Sequence, residues 1–417
     1  MVGRRVWSAA LCAGVSCVIV GVAGGSSGSG WKVTDLGTVP QYRSLSYAEN
    51  RPVAINTGEE IVASSSFALY DGPLPGGVVP PDHAFAWQRG KLSDLGKFDP
   101  TAINDRGEIV GSGLGAAGHA LLWRQGKLTD LGTLGGRSSE AVGINRRGQV
   151  VGTSDLPGST QRSLRRHAFL WQDGKMTDLG TLGGRNSRAI AINDHGQVIG
   201  VSDTAAPGRH HGFLWQNGKM TDLGTLGGWT SNPVAINERG QVIGQSTTAK
   251  GTAHAFVGQA FLWQDGKMID LGLLPSHPIC RHKLAVICEN MGSEATAIND
   301  RGQIVGSSVN AADNKHAFLW QNGKMADLGT LGGIYSTATS INDRGQIVGA
   351  SVTTTNSFVG EAFLWQNGKM IDLGPGGAIA INQAGTAIIG SRTVGTSHPD
   401  GSFSSYLGSR ALLWSRR

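Results

Sequence analysis

Enzyme-like chemistry in this chain would have to come from acids that break an otherwise strict pattern. The main ones are Glu49, Asp71, Asp82, Asp155, Asp203, Glu289, Glu294, Asp313 and Asp400. Two such carboxylates facing one sugar ring could act as acid and base in glycoside cleavage. Their spacing selects no pair, and solvated loop acids are the ordinary alternative. No nucleophile elbow, phosphate-binding loop, dinucleotide fingerprint or zinc signature occurs, so no motif-borne catalyst is expected. Rings and basic groups form a second off-pattern set: Tyr42, Tyr47, Arg165, Arg166, His210, His211, Trp229, Tyr335 and Tyr406. Aromatic faces beside hydrogen-bond donors suit carbohydrate or an extended peptide, which makes these residues the candidate ligand contacts.

"Off-pattern" has meaning because the rest repeats. The unit is clearest from His167 to Thr204, and Asp-Leu-Gly recurs eight times, at Asp35, Asp94, Asp130, Asp178, Asp222, Asp270, Asp327 and Asp372. An Ile-Asn pair also recurs eight times, from Asn56 to Asn382, at a mean period of roughly 46 residues, near that of propeller blades. Eight tryptophans, from Trp87 to Trp414, close an aromatic strand. A residue that the scaffold demands eight times is a poor candidate for a unique catalyst. The tryptophans are therefore read as inter-blade packing, and the Asp of Asp-Leu-Gly as an Asx-type cap of a backbone amide.

Four strand candidates fill each unit, of the types Ala-Ile-Ala-Ile-Asn, Gly-Gln-Val-Ile-Gly, Ala-Phe-Leu-Trp and Lys-Met-Thr-Asp-Leu-Gly. They are rich in β-branched and aromatic residues and are separated by Gly, Asn and Asp. Asn-Asp-x-Gly between the first two suits a type I turn ending in a glycine with positive φ. Asn-Gly or Asp-Gly between the last two is a hairpin signal. Two tight turns per unit make the strands antiparallel, against a parallel β-helix.

The two chain ends then complement each other. Seven third strands run into a Gly-Lys hairpin, ending at Lys91, Lys127, Lys175, Lys219, Lys267, Lys324 and Lys369, but Ala411 to Trp414 does not. Trp31 to Gly37 is a fourth strand without a unit. Joining them gives an all-β, eight-bladed β-propeller of four-stranded antiparallel blades, closed by the N-terminal strand in the C-terminal blade, which removes free edges. Both short turns then share one face. The long stretches Phe67 to Pro81, Leu156 to Arg166, Thr204 to His210, Leu273 to Glu294 and Arg392 to Ser409 share the other, where function is expected.

The unit resembles the bacterial HAF repeat, a family of extracellular repeats named for His-Ala-Phe. The motif stands as His83-Ala84-Phe85, His167-Ala168-Phe169 and His316-Ala317-Phe318, with looser copies at His119 and His211. Gln259, Glu361 and Arg410 replace the histidine in three units, and His254-Ala255-Phe256 is out of register. The resemblance implies export and a repeat architecture, and it carries no catalytic residues. Those replacements argue against a ring of histidine-bound metals, so no metal and no cofactor is expected. Calcium would want six to eight oxygens, where each unit offers one carboxylate.

Composition agrees with export. Residues 1–23 read as a signal peptide, with Arg4 and Arg5 before an apolar run and a cut after Ala23; the alternative is a retained anchor. Residues 24–30 are a Gly/Ser linker, and 31–417 the propeller. Cys280 and Cys288 share one insertion and can form a disulfide; a metal site with His277 and His282 matches no zinc spacing. The formal charge of +6 is scattered, and only 16% of residues are charged, which excludes a charged disordered chain and disfavours nucleic acid. The expected protein is a secreted or cell-surface monomer that binds carbohydrate or a surface protein and meets no membrane beyond its export signal. An exported glycan hydrolase or lyase is the other class.

Overall fold

The computed structural model describes residues 30–36, 48–67, 83–115, 117–160, 163–248, 258–274, 292–354, 360–397 and 403–416. Among these every regular element is a strand, and the architecture is a β-propeller. The first sheet runs Ala48–Ile55, Ile61–Phe67, His83–Gln88 and Lys91–Gly96 from inner to outer strand. The same order of four antiparallel strands recurs down the chain. The signal-peptide reading, Tyr42, Tyr47, Cys280, Cys288, Asp71, Asp82, Glu289 and Asp400 lie outside the described residues.

The last sheet is assembled from both ends. Trp31–Asp35 pairs antiparallel with Phe403–Arg416, with Trp31 opposite Arg416 and Asp35 opposite Leu412; Ala387–Ser397 and Gly377–Ile381 complete it. Arg416 lies over the Trp31 ring at 5.3 Å, and Trp414 Nε1 donates to the Leu373 carbonyl of the preceding sheet at 2.9 Å.

One feature departs from eight separate sheets. Two four-stranded groups are joined into an eight-stranded sheet by a single parallel pairing, His210 opposite Thr230. The inner strand Gly227–Ile236 begins with a bulge between Gly227 and Ser231, with Thr230 beside the third strand of its neighbour. The same bulge opens Gly183–Ile192 and Gly332–Ile341, each on the connection that crosses between sheets.

Local chemistry explains the turns. In the outer hairpins Asp173 and Gly174 both have positive φ, as do Asn217 and Gly218, which is the type I′ geometry that Asn-Gly and Asp-Gly favour. Arg89 and Gln125 occupy the same left-handed position in two hairpins. The second-strand glycine is also required: a methyl on Gly200 would overlap the Arg188 carbonyl and the Phe213 ring.

Among the described residues eight apolar clusters hold neighbouring sheets together. In one, Val151, Ala168, Leu170 and Leu179 meet Ala189, Val198 and Phe213 of the next sheet, with Trp215 packed against them. Another joins the last sheet to the first, through Leu36, Ala387, Ile389, Ala411 and Leu413 against Ile61, with Trp87 alongside. Fully burying each of the larger side chains, the valines, leucines, isoleucines and phenylalanine, stabilises the fold by about 1.5–3 kcal/mol. The repeated tryptophans thus serve the packing between sheets, as their periodicity indicates.

Candidate functional site

The inner strands end in the Asn-x-x-Gly turns, and these turns converge. Seven of the eight asparagines, Asn56 to Asn342, bridge two sheets. Asn145 is buried; its Oδ1 accepts from the Arg147 and Gln149 amides, while Nδ2 donates to Gln149 Oε1 at 2.7 Å and to the Asn193 carbonyl at 3.0 Å. Equivalent bonds run from Asn56 to Asn104, from Asn104 to Asn145, and onward through Asn342 to Asn382. Between the last and first sheets the link changes: Asn382 Nδ2 donates to Thr386 Oγ1, and Thr386 Oγ1 donates to Glu59 Oε1 at 2.5 Å.

The residue after each asparagine forms a second tier, made of Thr57, Asp105, Arg146, Asp194, Glu238, Asp300, Asp343 and Gln383. Its side chains accept from the backbone amide of the preceding member. Thr57 N donates to Asp105 at 2.9 Å, Arg146 N to Asp194 at 2.8 Å, Glu238 N to Asp300 at 2.9 Å and Asp343 N to Gln383 at 2.9 Å. These side-chain oxygens replace water at turn amides that face the axis.

Arg146 interrupts that tier. Its Nε lies 2.8 Å from Asp105 Oδ2 and 3.4 Å from Asp194 Oδ2. Burial pushes the Asp105 carboxyl up, but bonds from the Thr57 amide and hydroxyl and from Arg146 more than offset it, so Asp105 titrates below its ordinary value. The bond to Asp105 in turn raises Arg146, although burial opposes it. A cavity of about 270 Å³ opens here, with isoleucines such as Ile55, Ile103 and Ile144 beneath and Thr57, Asp105, Arg146, Asp194 and Gln383 around it. That combination can hold a small polar molecule by its hydroxyl or amide groups. Among the described residues no cluster of three or more His, Cys, Asp or Glu is placed to hold a metal ion.

Sequence reasoning passed over this tier because its acids belong to the Asn-Asp-x-Gly turn and so read as scaffold. The available signal was the column itself, in which Arg146 is the one basic residue.

The other candidates sit at the opposite ends of the strands. Trp229 and Tyr335 are 53% and 50% exposed, each near the start of an inner strand. Arg166 is held by Asp155 at 2.7 Å, and His211 Nδ1 by Asp222 at 2.9 Å. His210 is half-buried beside the parallel pairing, and Arg165 donates its amide to Ser159 Oγ. Asp155 is further bonded by Ser138, Asp203 by Asn186, and Glu294 by Lys315. The structure therefore gathers none of the off-pattern acids into a common pocket among the described residues.

The HAF histidines answer to the Asp-Leu-Gly acids. His83, His119, His167, His211 and His316 each place Nδ1 within 3.2 Å of Asp94, Asp130, Asp178, Asp222 and Asp327. The same acids accept from the glycine amide two residues on, as at Gly180 and Gly224, which is the Asx-type cap. Arg410 keeps the pairing with Asp35 at 3.8 Å. Glu361 does not: burial first, and then the charge of Asp372, raises its carboxyl above the ordinary value.

No family model and no curated protein matches the sequence. Among solved structures the chain is similar to dipeptidyl peptidase 4 of Porphyromonas gingivalis, with a TM-score of 0.51 and 9% identity, covering 86% of this chain and 59% of that one. It is also similar to the β-propeller domain of the Trilobed protease from Pyrococcus furiosus, with a TM-score of 0.47 and 12% identity over 78% of this chain and 95% of that one. A third is the oligogalacturonate lyase from Vibrio parahaemolyticus, with a TM-score of 0.46 and 8% identity over 93% and 94%. Likeness at such identities is one of fold.

Proposed function

We propose that this chain is an exported propeller of the HAF-repeat kind, closed as eight blades, that works by binding. It recognises carbohydrate or an extended peptide on the face carrying its long connections. The observation that carries this reading is the pair Trp229 and Tyr335. Both rings remain half exposed on backbone that is already pinned: Trp229 N donates to Thr247 Oγ1 at 2.9 Å, and the Tyr335 carbonyl accepts from Ser351 Oγ at 3.2 Å. Aromatic platforms on an ordered backbone bind a sugar or a peptide with little further ordering cost.

A second reading, a glycan hydrolase or lyase, draws on Asp105 and Asp194 at the axial cavity. Asp105 fits it poorly. Its low pKa and its bonds to Thr57 and Arg146 keep it anionic, so it is a weak proton donor. A glycan array followed by product analysis separates the two. Retention without turnover is expected; release of shorter products would replace binding with catalysis, and no retention of any glycan or peptide would remove the reading altogether.

A further inference from the structure

Each of the seven outer strands from Lys91–Gly96 to Lys369–Pro375 begins with lysine and carries the aspartate of Asp-Leu-Gly three residues later. The lysine follows the hairpin turn, and the aspartate lies toward the long connections. Charge is thus sorted along every outer strand in the same sense.

The hairpins share their face with the Asn-x-x-Gly turns, because the two are bonded to each other. Gln149 Nε2 donates to Gln172 Oε1 at 2.7 Å, Gln241 to Gln264 at 2.6 Å, and Glu108 pairs with Arg124 at 2.6 Å. The turns add the exposed Arg106, Arg147, Arg239, Arg301 and Arg344. All seven lysines are exposed, and among the described residues none of them is in an ion pair. The acids of this face are placed differently. Asp105, Asp194, Glu238, Asp300 and Asp343 sit at the axis as acceptors for backbone amides; Glu59, Glu60 and Glu108 in the turns are held by Thr386, Asn56 and Arg124; and Asp173 and Asp265 stand in the hairpins themselves.

We propose that this annulus of lysine and arginine docks the protein on a bilayer containing anionic lipid. The inference goes beyond the binding reading and rests on the closed ring. Each lysine occupies the same register position in its sheet, opposite a glutamine or arginine of the third strand, as Lys175 faces Gln172 and Lys219 faces Gln216. Equivalent positions around a ring lie at one level. Charges at one level match a plane, whereas a single polymer chain crossing the ring would meet only a few of them. Docked this way, the disc turns its long connections away from the membrane.

The test is co-sedimentation of the full chain with phosphatidylcholine vesicles, with and without phosphatidylglycerol. Binding that depends on phosphatidylglycerol and is released by salt is expected. The triple variant Lys175→Gln, Lys219→Gln, Lys324→Gln should weaken that dependence on the order of a hundredfold, at about fivefold per surface lysine. A control removes the same charge from the other face, as Arg137→Gln, Arg185→Gln, Arg209→Gln, and should bind like the parent. Equal loss in both variants, loss in neither, or absence of lipid-dependent binding in the parent overturns the proposal. Retention on soluble dextran sulfate without vesicle binding overturns it in favour of an anionic polysaccharide. None of these results bears on whether Trp229 and Tyr335 bind a glycan.

Discussion

Asn145 and Asn193 lie in successive sheets, and a 3.0 Å bond joins the side chain of the first to the carbonyl of the second. The same side chain also satisfies two amides of its own turn. Asn145→Ala leaves those two buried amides without partners and removes one of the two donors to the Asn193 carbonyl, which keeps the Gly196 amide. A loss of about 2–4 kcal/mol in denaturant unfolding is expected. Asn145→Asp keeps the acceptor but sets a negative oxygen against Gln149 Oε1 and the Asn193 carbonyl. At neutral pH it should destabilise at least as much as alanine, and it should recover as acid protonates it and restores a donor. An alanine variant with parental stability would remove the ring of asparagines as a structural element.

Glu361 stands where five sheets have histidine, and it faces Asp372. Because its folded-state pKa is raised, its favourable contribution is complete below the ordinary glutamate value and is lost as pH climbs through the raised one. Glu361→Gln should therefore raise the melting temperature at neutral pH and lose that advantage in acid, by under about 1 kcal/mol for so accessible a pair. Unchanged pH dependence of melting would dismiss the Glu361–Asp372 repulsion.

Asp105 has the opposite sign. Its lowered pKa contributes stability above the ordinary aspartate value, and that stability is lost as pH falls through the folded-state value. Arg146→Ala removes one of the groups that lower it. The difference in stability between parent and variant should be greatest near neutrality, at under about 1 kcal/mol, and should close in acid. A difference that grows on acidification would contradict the assignment.

Gln125 holds φ at 50° in a hairpin where other sheets use Asn or Asp. Asparagine tolerates the left-handed region better, so Gln125→Asn should stabilise the protein by roughly 0.5–1 kcal/mol. Thermal unfolding decides it, and a lower melting temperature would show that Gln125 makes a contribution this turn geometry does not reveal.

For the ligand contacts, Trp229→Ala combined with Tyr335→Ala should lower affinity for a glycan retained on an array by tenfold or more, on the order of 1.4 kcal/mol. The melting temperature should barely move, since both rings are half exposed. Undiminished affinity would exclude both rings from the site.

Much of the architecture could be read directly from residue order. Period, strand sequence and turn type are local properties, and Asn217-Gly218 commits its hairpin whatever surrounds it. The chain ends were also legible. A fourth strand without a unit at Trp31 and a third strand without a hairpin at Trp414 complement each other, and their pairing at Val33 opposite Trp414 follows from counting. The packing role of Trp215 and the cap supplied by Asp222 were readable for the same reason: a side chain repeated in every unit answers a need repeated in every unit.

What residue order could not supply was which repeated positions meet. Thr57, Asp105 and Arg146 are separated by 48 and 41 residues, and only the convergence of inner strands brings them to one cavity. Likewise the partner of His211, and the failure of that partnership at Glu361, depend on cross-strand register and local burial. Sequence determined the unit and its order of strands, because those are set by backbone preferences and apolar alternation within a few residues. The tertiary structure decided the charge of the axis and the gathering of the outer-strand lysines on one face. Those follow from where symmetry sets equivalent atoms in space, and the chain does not encode that in any one repeat.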